Sequence, residues 1–173
     1  VWPYRRKLSY LPPDIKSFDR KWPPLLLAVS TELKRNDGKL LKALISASAY
    51  WNKKVGLPLF ITPGEVGVSS NVISVVAASR KEDKSFSTMY TRYWVDERGT
   101  LSKATIFVKP IWKHKTVGEL ERDFVHALGH CLGLTHDKIH GSAMYGGELN
   151  GVYTVTDRDV IFLRSVYGLV KRK

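Results

Sequence analysis

Apolar residues along this chain fall into runs and stripes whose period changes several times. After a Pro-rich opening, Leu25-Leu26-Leu27-Ala28-Val29 is unbroken, which predicts a buried strand. Asn36-Asp37-Gly38 then breaks the chain. Leu40, Leu41, Leu44, Ile45, Ser48 and Trp51 follow at helical spacing up to Gly56, predicting an amphipathic helix. Pro58-Leu59-Phe60-Ile61 and Val72-Ile73-Ser74-Val75-Val76-Ala77 read as two further strands, bounded by Gly64, Gly67 and a charged loop. Between Thr88 and Val108 two extended runs flank Asp96-Glu97-Arg98-Gly99, whose glycine suits the positive φ of a hairpin turn. Thr116 and Glu119 form an S/T-x-x-E helix start, after which Leu120, Phe124, Leu128 and Cys131 share one stripe. Thr156 with Asp159 opens a last helix running to Gly168. The order is strand, helix, several strands, helix, irregular segment, helix.

Composition bounds this picture without redirecting it. A chain of 173 residues, 43% of them apolar, suits one compact domain with its own core. No apolar run approaches the roughly 20 residues that span a bilayer. The opening Val1-Trp2-Pro3-Tyr4-Arg5-Arg6-Lys7 has neither a signal-peptide core nor an initiator Met, so a soluble, processed or trimmed product is expected. Lys and Arg total 28 against 16 acidic residues, a net charge of +12. The excess gathers at Arg5-Arg6-Lys7, Lys53-Lys54, Arg80-Lys81, Lys113-His114-Lys115 and Lys171-Arg172-Lys173. It favours anionic partners or surfaces, but no recognised nucleic-acid motif accompanies it, and a solvated basic surface is the simpler reading. One cysteine, Cys131, excludes an internal disulfide.

The chemistry concentrates in His126-Ala127-Leu128-Gly129-His130-Cys131-Leu132-Gly133-Leu134-Thr135-His136-Asp137. His126 and His130 are one helical turn apart, so both imidazoles leave the same face, away from the apolar stripe. Gly133 accepts positive φ cheaply and permits a reversal that returns His136 to the same point. Three neutral imidazoles with an open fourth position describe a catalytic zinc site rather than a closed structural one. His140 lies off this spacing and reads as a loop residue; His114, between two lysines, reads as surface.

The pattern H-x-x-x-H-x-x-G-x-x-H, followed by Ser142-Ala143-Met144-Tyr145, resembles the metzincin zinc peptidases, most nearly the matrixins. Leu40 to Gly56 is similar to the first matrixin helix, and Val155 to Gly168 to the last. The resemblance implies an α+β catalytic domain over residues 1–173. Its sheet would be twisted and mostly parallel with an antiparallel edge strand, beside three main helices, the zinc site on the second. An N-terminal subdomain to about residue 133 and a C-terminal one from about 134 would flank the cleft. One catalytic zinc would be held by His126, His130 and His136, with Gly133 turning the chain, Met144 as an apolar floor and Asp159 bracing the Met turn. A calcium ion is not indicated, and five histidines are too few for the family's second, structural zinc.

The same resemblance implies a protein or peptide substrate lying along an edge strand from Thr88 to Val95. Tyr90, Tyr145 and Arg122 are the candidate substrate contacts. Tyr90, Tyr93 and Trp94 also suit ordinary sheet packing. Arg122 occupies a position that shapes the floor of the S1′ pocket in matrixins, where it would favour a small or acidic P1′ residue; a solvent-facing helix arginine is the alternative. Gly146 to Tyr153 would form the outer wall of that pocket, without the family's proline. Two departures stand out. Asp137 replaces the serine usual in matrixins, as in adamalysin-type enzymes, and Arg158 stands where matrixins carry an acidic residue that receives the mature N-terminus.

Alanine at 127 is the departure that decides chemistry. In the family this residue is the glutamate that takes a proton from the attacking water and later delivers one to the leaving amine. It is not a ligand, so zinc binding should survive its loss. The expected function is therefore a zinc-dependent endopeptidase, with this chain an inactive variant. A loss confined to the one acid–base group favours a glutamate-to-alanine change. A natural pseudopeptidase serving as a zinc-stabilised binding module is the alternative, and a polyanion-binding protein a third. A monomeric, secreted protein is what the family implies.

Overall fold

The computed structural model describes residues 25–34, 38–61, 72–79, 88–95, 101–147 and 153–167. The Asp96-Glu97-Arg98-Gly99 turn, Gly64, Gly67, Gly168 and most of the Gly146 to Tyr153 wall lie outside them. Strands β1 (Leu25–Val29), β2 (Phe60–Ile61), β3 (Val72–Ala77), β4 (Met89–Val95) and β5 (Leu101–Val108) form one sheet in the order β2-β1-β3-β5-β4. β1 runs parallel to β2 and β3, and β3 parallel to β5. β4 pairs antiparallel with β5 and forms the edge, as the hairpin pattern predicts. A four-residue helical turn, α1 (Thr31–Lys34), precedes three main helices: α2 (Lys39–Val55), α3 (Val117–Cys131) and α4 (Asp157–Tyr167). The architecture is the expected α+β one. Among the described residues, no helix is long and apolar enough to cross a membrane.

Strand alternation decides which face of the sheet the helices cover. Leu27, Ile73, Val75, Met89, Ala104, Ile106 and Val108 are buried on one face, whereas Arg92, Trp94 and Lys103 on the other reach solvent. The buried face meets α2 through Leu40, Ala43, Leu44, Ala47, Ser48, Trp51 and Val55. This stripe differs from the one drawn through the large apolar residues. Leu41 is only half-buried and Ile45 is 37% exposed, while Ala43 and Ala47 take the inward positions. Small side chains there let the helix approach its neighbours closely, so the size of the residue misleads where its angular position does not.

Polar bonds fix how the helices sit. The Trp51 indole donates to the Val125 carbonyl at 2.8 Å, joining α2 to α3 within the core. Asn52 answers both main-chain groups of Phe60, donating at 2.9 Å and accepting at 3.0 Å, so the helix end completes the hydrogen bonding of β2. Gly56, at φ 74°, caps α2 with its N–H on the Asn52 carbonyl. Arg164 of α4 donates to the Val55 carbonyl at 2.7 Å, and the Tyr167 hydroxyl to the Leu132 carbonyl at 2.7 Å. The last helix is thereby tied to the ends of both others.

Candidate metal centre

Helix α3 begins where its sequence signal places it. Thr116 Oγ1 accepts from the Glu119 N–H at 3.1 Å, and the Glu119 carboxylate accepts from the Thr116 N–H at 2.7 Å. These bonds hold the Glu119 carboxyl below its ordinary range. Thr116→Ala removes one of the two and is expected to lower the thermal midpoint by about 2–4 °C while leaving zinc stoichiometry unchanged. Calorimetry with parallel metal analysis checks both.

The apolar stripe of α3, Leu120, Phe124, Leu128 and Cys131, is wholly buried, and His126 and His130 project elsewhere. Each histidine is oriented by a main-chain carbonyl: His126 Nδ1 lies 2.8 Å from the Ala143 oxygen, and His130 Nδ1 lies 2.8 Å from the Leu134 oxygen. A carbonyl only accepts, so both Nδ1 atoms carry the proton and both Nε2 atoms present bare lone pairs. The chain then reverses at Gly133, φ 99°, with the Leu134 N–H returning to the Gly129 carbonyl at 3.0 Å. His136 Nε2 arrives 3.1 Å from both others, which are themselves 3.0 Å apart.

This convergence fits a bound cation. Two lone pairs at that separation repel one another, and a positive ion between them turns the repulsion into coordination. Burial pushes His126 down to about 4 and His130 down to about 3, and lowers His136 as well, so all three are neutral near physiological pH. His136 is exposed and leaves the cluster open to solvent on its side. Three nitrogens with an accessible remaining position suit zinc better than the oxygen-seeking calcium or magnesium.

The floor of the cluster was only half legible in the sequence. Met144 is fully buried, as expected of the Met turn. Its sulfur rests on Gly129, where a Cβ would overlap it and would also press on the Trp51 ring at 3.0 Å. Gly129, immediately before His130, is thus required by close approach; a glycine inside an otherwise strong helix is the available signal.

Asp137 also proves structural. Its carboxylate accepts from the Ser142 hydroxyl at 2.5 Å and the Ile139 N–H at 2.9 Å, and Ser142 in turn accepts from the Met144 N–H at 3.1 Å. The main chains of Asp137 and Met144 bond directly at 2.8 Å. The residue after the third ligand therefore holds the Met turn. Asp159, expected to brace that turn, is buried and bonds Thr156 at the start of α4.

The candidate substrate contacts separate. Tyr145 bonds beside the cluster rather than within it: its hydroxyl lies 3.2 Å from His140 Nε2, and it is the following Gly146 that lies against the His136 ring. Arg122 is not the solvent-facing arginine of the alternative reading. Its side chain is 14% exposed, with Nε buried 3.7 Å from Asp123. Tyr90 is not at the site. Strand alternation puts it on the face away from α3, stacked on Phe107 with ring centroids 4.9 Å apart. Ala127 is 3% exposed and packs in the core, supplying no acid–base group.

No protein-family model matches this chain, and no curated protein does. Among solved structures it is similar to high choriolytic enzyme 1, a hatching-enzyme zinc protease from Oryzias latipes (medaka fish). The two share 12% identity and a TM-score of 0.53, over 97% of each chain. Sheet order, helix placement and the histidine cluster together define a zincin-like fold of the metzincin kind.

Proposed function

We propose that this chain is the catalytic domain of a metzincin zinc endopeptidase, matrixin-like in its helices and Met turn, with Ala127 in place of the general base. The observation that carries the reading is the convergence of three imidazole Nε2 atoms, two of them left bare because the Nδ1–H of the same ring donates to a main-chain carbonyl. A fold neighbour that is itself a zinc protease supports it. Zinc held there would supply Lewis acidity toward a peptide carbonyl and acidify water. His126, His130 and His136 would hold and orient the ion, while Met144 packs against Gly129 of the histidine-bearing helix. Among the described residues β4 pairs only with β5 and ends the sheet, the kind of strand to which an extended peptide adds. The matrixin-like position of Arg122, whose buried Nε faces Asp123 at 3.7 Å without a hydrogen bond, supports preference for an acidic or small P1′ side chain.

Ala127→Glu tests the reading. Restoring a group that gives and takes protons is expected to raise cleavage of a denatured protein about 10²–10⁴-fold, abolished by a chelator. Absence of chelator-sensitive cleavage by a folded, zinc-loaded variant overturns it. Ala127 itself favours a second reading, a natural pseudopeptidase in which zinc stabilises a binding module; a source gene that encodes alanine at this codon would select it. Family resemblance supports a monomeric, secreted protein with a protein or peptide substrate.

A further inference from the structure

The outer face of β4 and β5 carries residues that neither the core nor the metal centre uses. Tyr90, Arg92 and Trp94 of β4 lie there beside Phe107, Thr105 and Lys103 of β5. Tyr90 and Phe107 stack at 4.9 Å with planes 11° apart. The Arg92 guanidinium sits 5.3 Å from the Phe107 ring and 5.8 Å from the Tyr90 ring. The Lys103 ammonium sits 4.9 Å over Trp94, which is 42% exposed. Lys109, extended just past β5 at φ −80° and ψ 153°, keeps the parity of Lys103 and Phe107. The next strand adds Ser74 and Val76 to this face, and none of these positions is acidic.

Cation–π pairs across strands can serve stability alone, at about 0.5–1 kcal/mol for each exposed pair. Three features go beyond that role. The cations are all of one sign, on a chain whose net charge is already +12. The rings occur at two steps along one strand, four residues and so about 13 Å apart, with a guanidinium between them. The largest ring is also the most exposed. An unpaired nucleotide strand requires this combination: rings for bases to stack on, and cations that follow the phosphates. A duplex hides its bases, and a sulfated polysaccharide needs the cations but not the rings.

We infer that the outer face of β4 and β5 binds single-stranded nucleic acid, with Trp94 and the Tyr90–Phe107 pair stacking bases and Arg92 and Lys103 meeting phosphates. The inference is independent of the metal centre, so its failure and that of the peptidase reading are distinguishable. The experiment is fluorescence anisotropy of the whole chain with a labelled oligothymidylate of about 12 nucleotides, at about 50 and about 200 mM salt. Binding is expected to weaken steeply with salt. At fixed salt Trp94→Ala is expected to weaken it about tenfold or more, whereas Trp94→Phe retains most of it. Arg92→Ala, whose loss does not open the core, is the second variant, and circular dichroism verifies that each is folded. No binding at the lower salt overturns the inference. So does a folded Trp94→Ala chain that binds as tightly as the parent, or equal affinity for duplex DNA or a base-free polyphosphate.

Discussion

His130→Ala is expected to abolish uptake of one zinc per chain and with it any zinc-dependent rise in thermal midpoint. Three nitrogens 3.0–3.1 Å apart share one ion, so loss of one leaves an incomplete and weaker site. Zinc at a hundred times its dissociation constant stabilises the parent by about 2.7 kcal/mol, all of which disappears in a variant that cannot bind. The metal-free parent carries a second signature. Because burial depresses His126 to about 4 and His130 to about 3 from an ordinary 6.5, the unfolded chain takes up these protons before the folded one does. More protons on the unfolded chain mean that stability rises with pH across that window. The contribution is complete above about pH 6.5 and is lost on acidification toward pH 3, a part of the profile that His130→Ala should flatten. Zinc titration against a chromogenic chelator and denaturation at several pH values measure the two effects. A variant that still binds one zinc per chain with an unchanged midpoint shift would show that these histidines do not form the site.

Gly129→Val is expected to destabilise the domain by about 2–3 kcal/mol, a midpoint drop of roughly 5–10 °C. On helix propensity alone the substitution should be mildly favourable, since glycine is the poorest ordinary residue in a helix interior. Packing reverses the sign. The first added carbon already overlaps the Met144 sulfur and meets the Trp51 ring, and both side chains are fully buried. Displacing Met144 also moves Ala143, whose carbonyl orients His126, so zinc affinity should fall together with stability. Equal stability of Gly129→Ala, Gly129→Val and the parent would mean that the close approach has no energetic weight.

These two sites mark where the sequence could and could not be read. Strand alternation, the Thr116 cap and the spacing of His126, His130 and Gly133 are local signals, and the structure follows them. The β4–β5 pairing was legible for the same reason, because antiparallel neighbours follow one another in the chain. The inward face of α2 was read partly wrongly: Ala43 and Ala47 are as apolar as the interior needs, but their size gives them little weight in a pattern. For Tyr90 the sequence leaves both substrate contact and sheet packing open, because an edge strand offers two faces and the chain alone does not say which one looks toward the histidines. The role of Asp137 was not legible because its side-chain bond to Ser142 and main-chain bond to Met144 close a loop that no spacing rule describes.

The proton on His126 Nδ1 goes to the carbonyl of residue 143, and that on His130 Nδ1 to the carbonyl of residue 134. Every amino acid brings a carbonyl, so mutation of Ala143 or Leu134 alters the packing there without deleting the acceptor. The orientation of two ligands is therefore written in the path of the chain rather than in the identity of its neighbours. Such a centre tolerates wide divergence around it, consistent with a shared fold at 12% identity. Nor does it depend on residue 127: a methyl group there leaves in place every bond that aims the imidazoles.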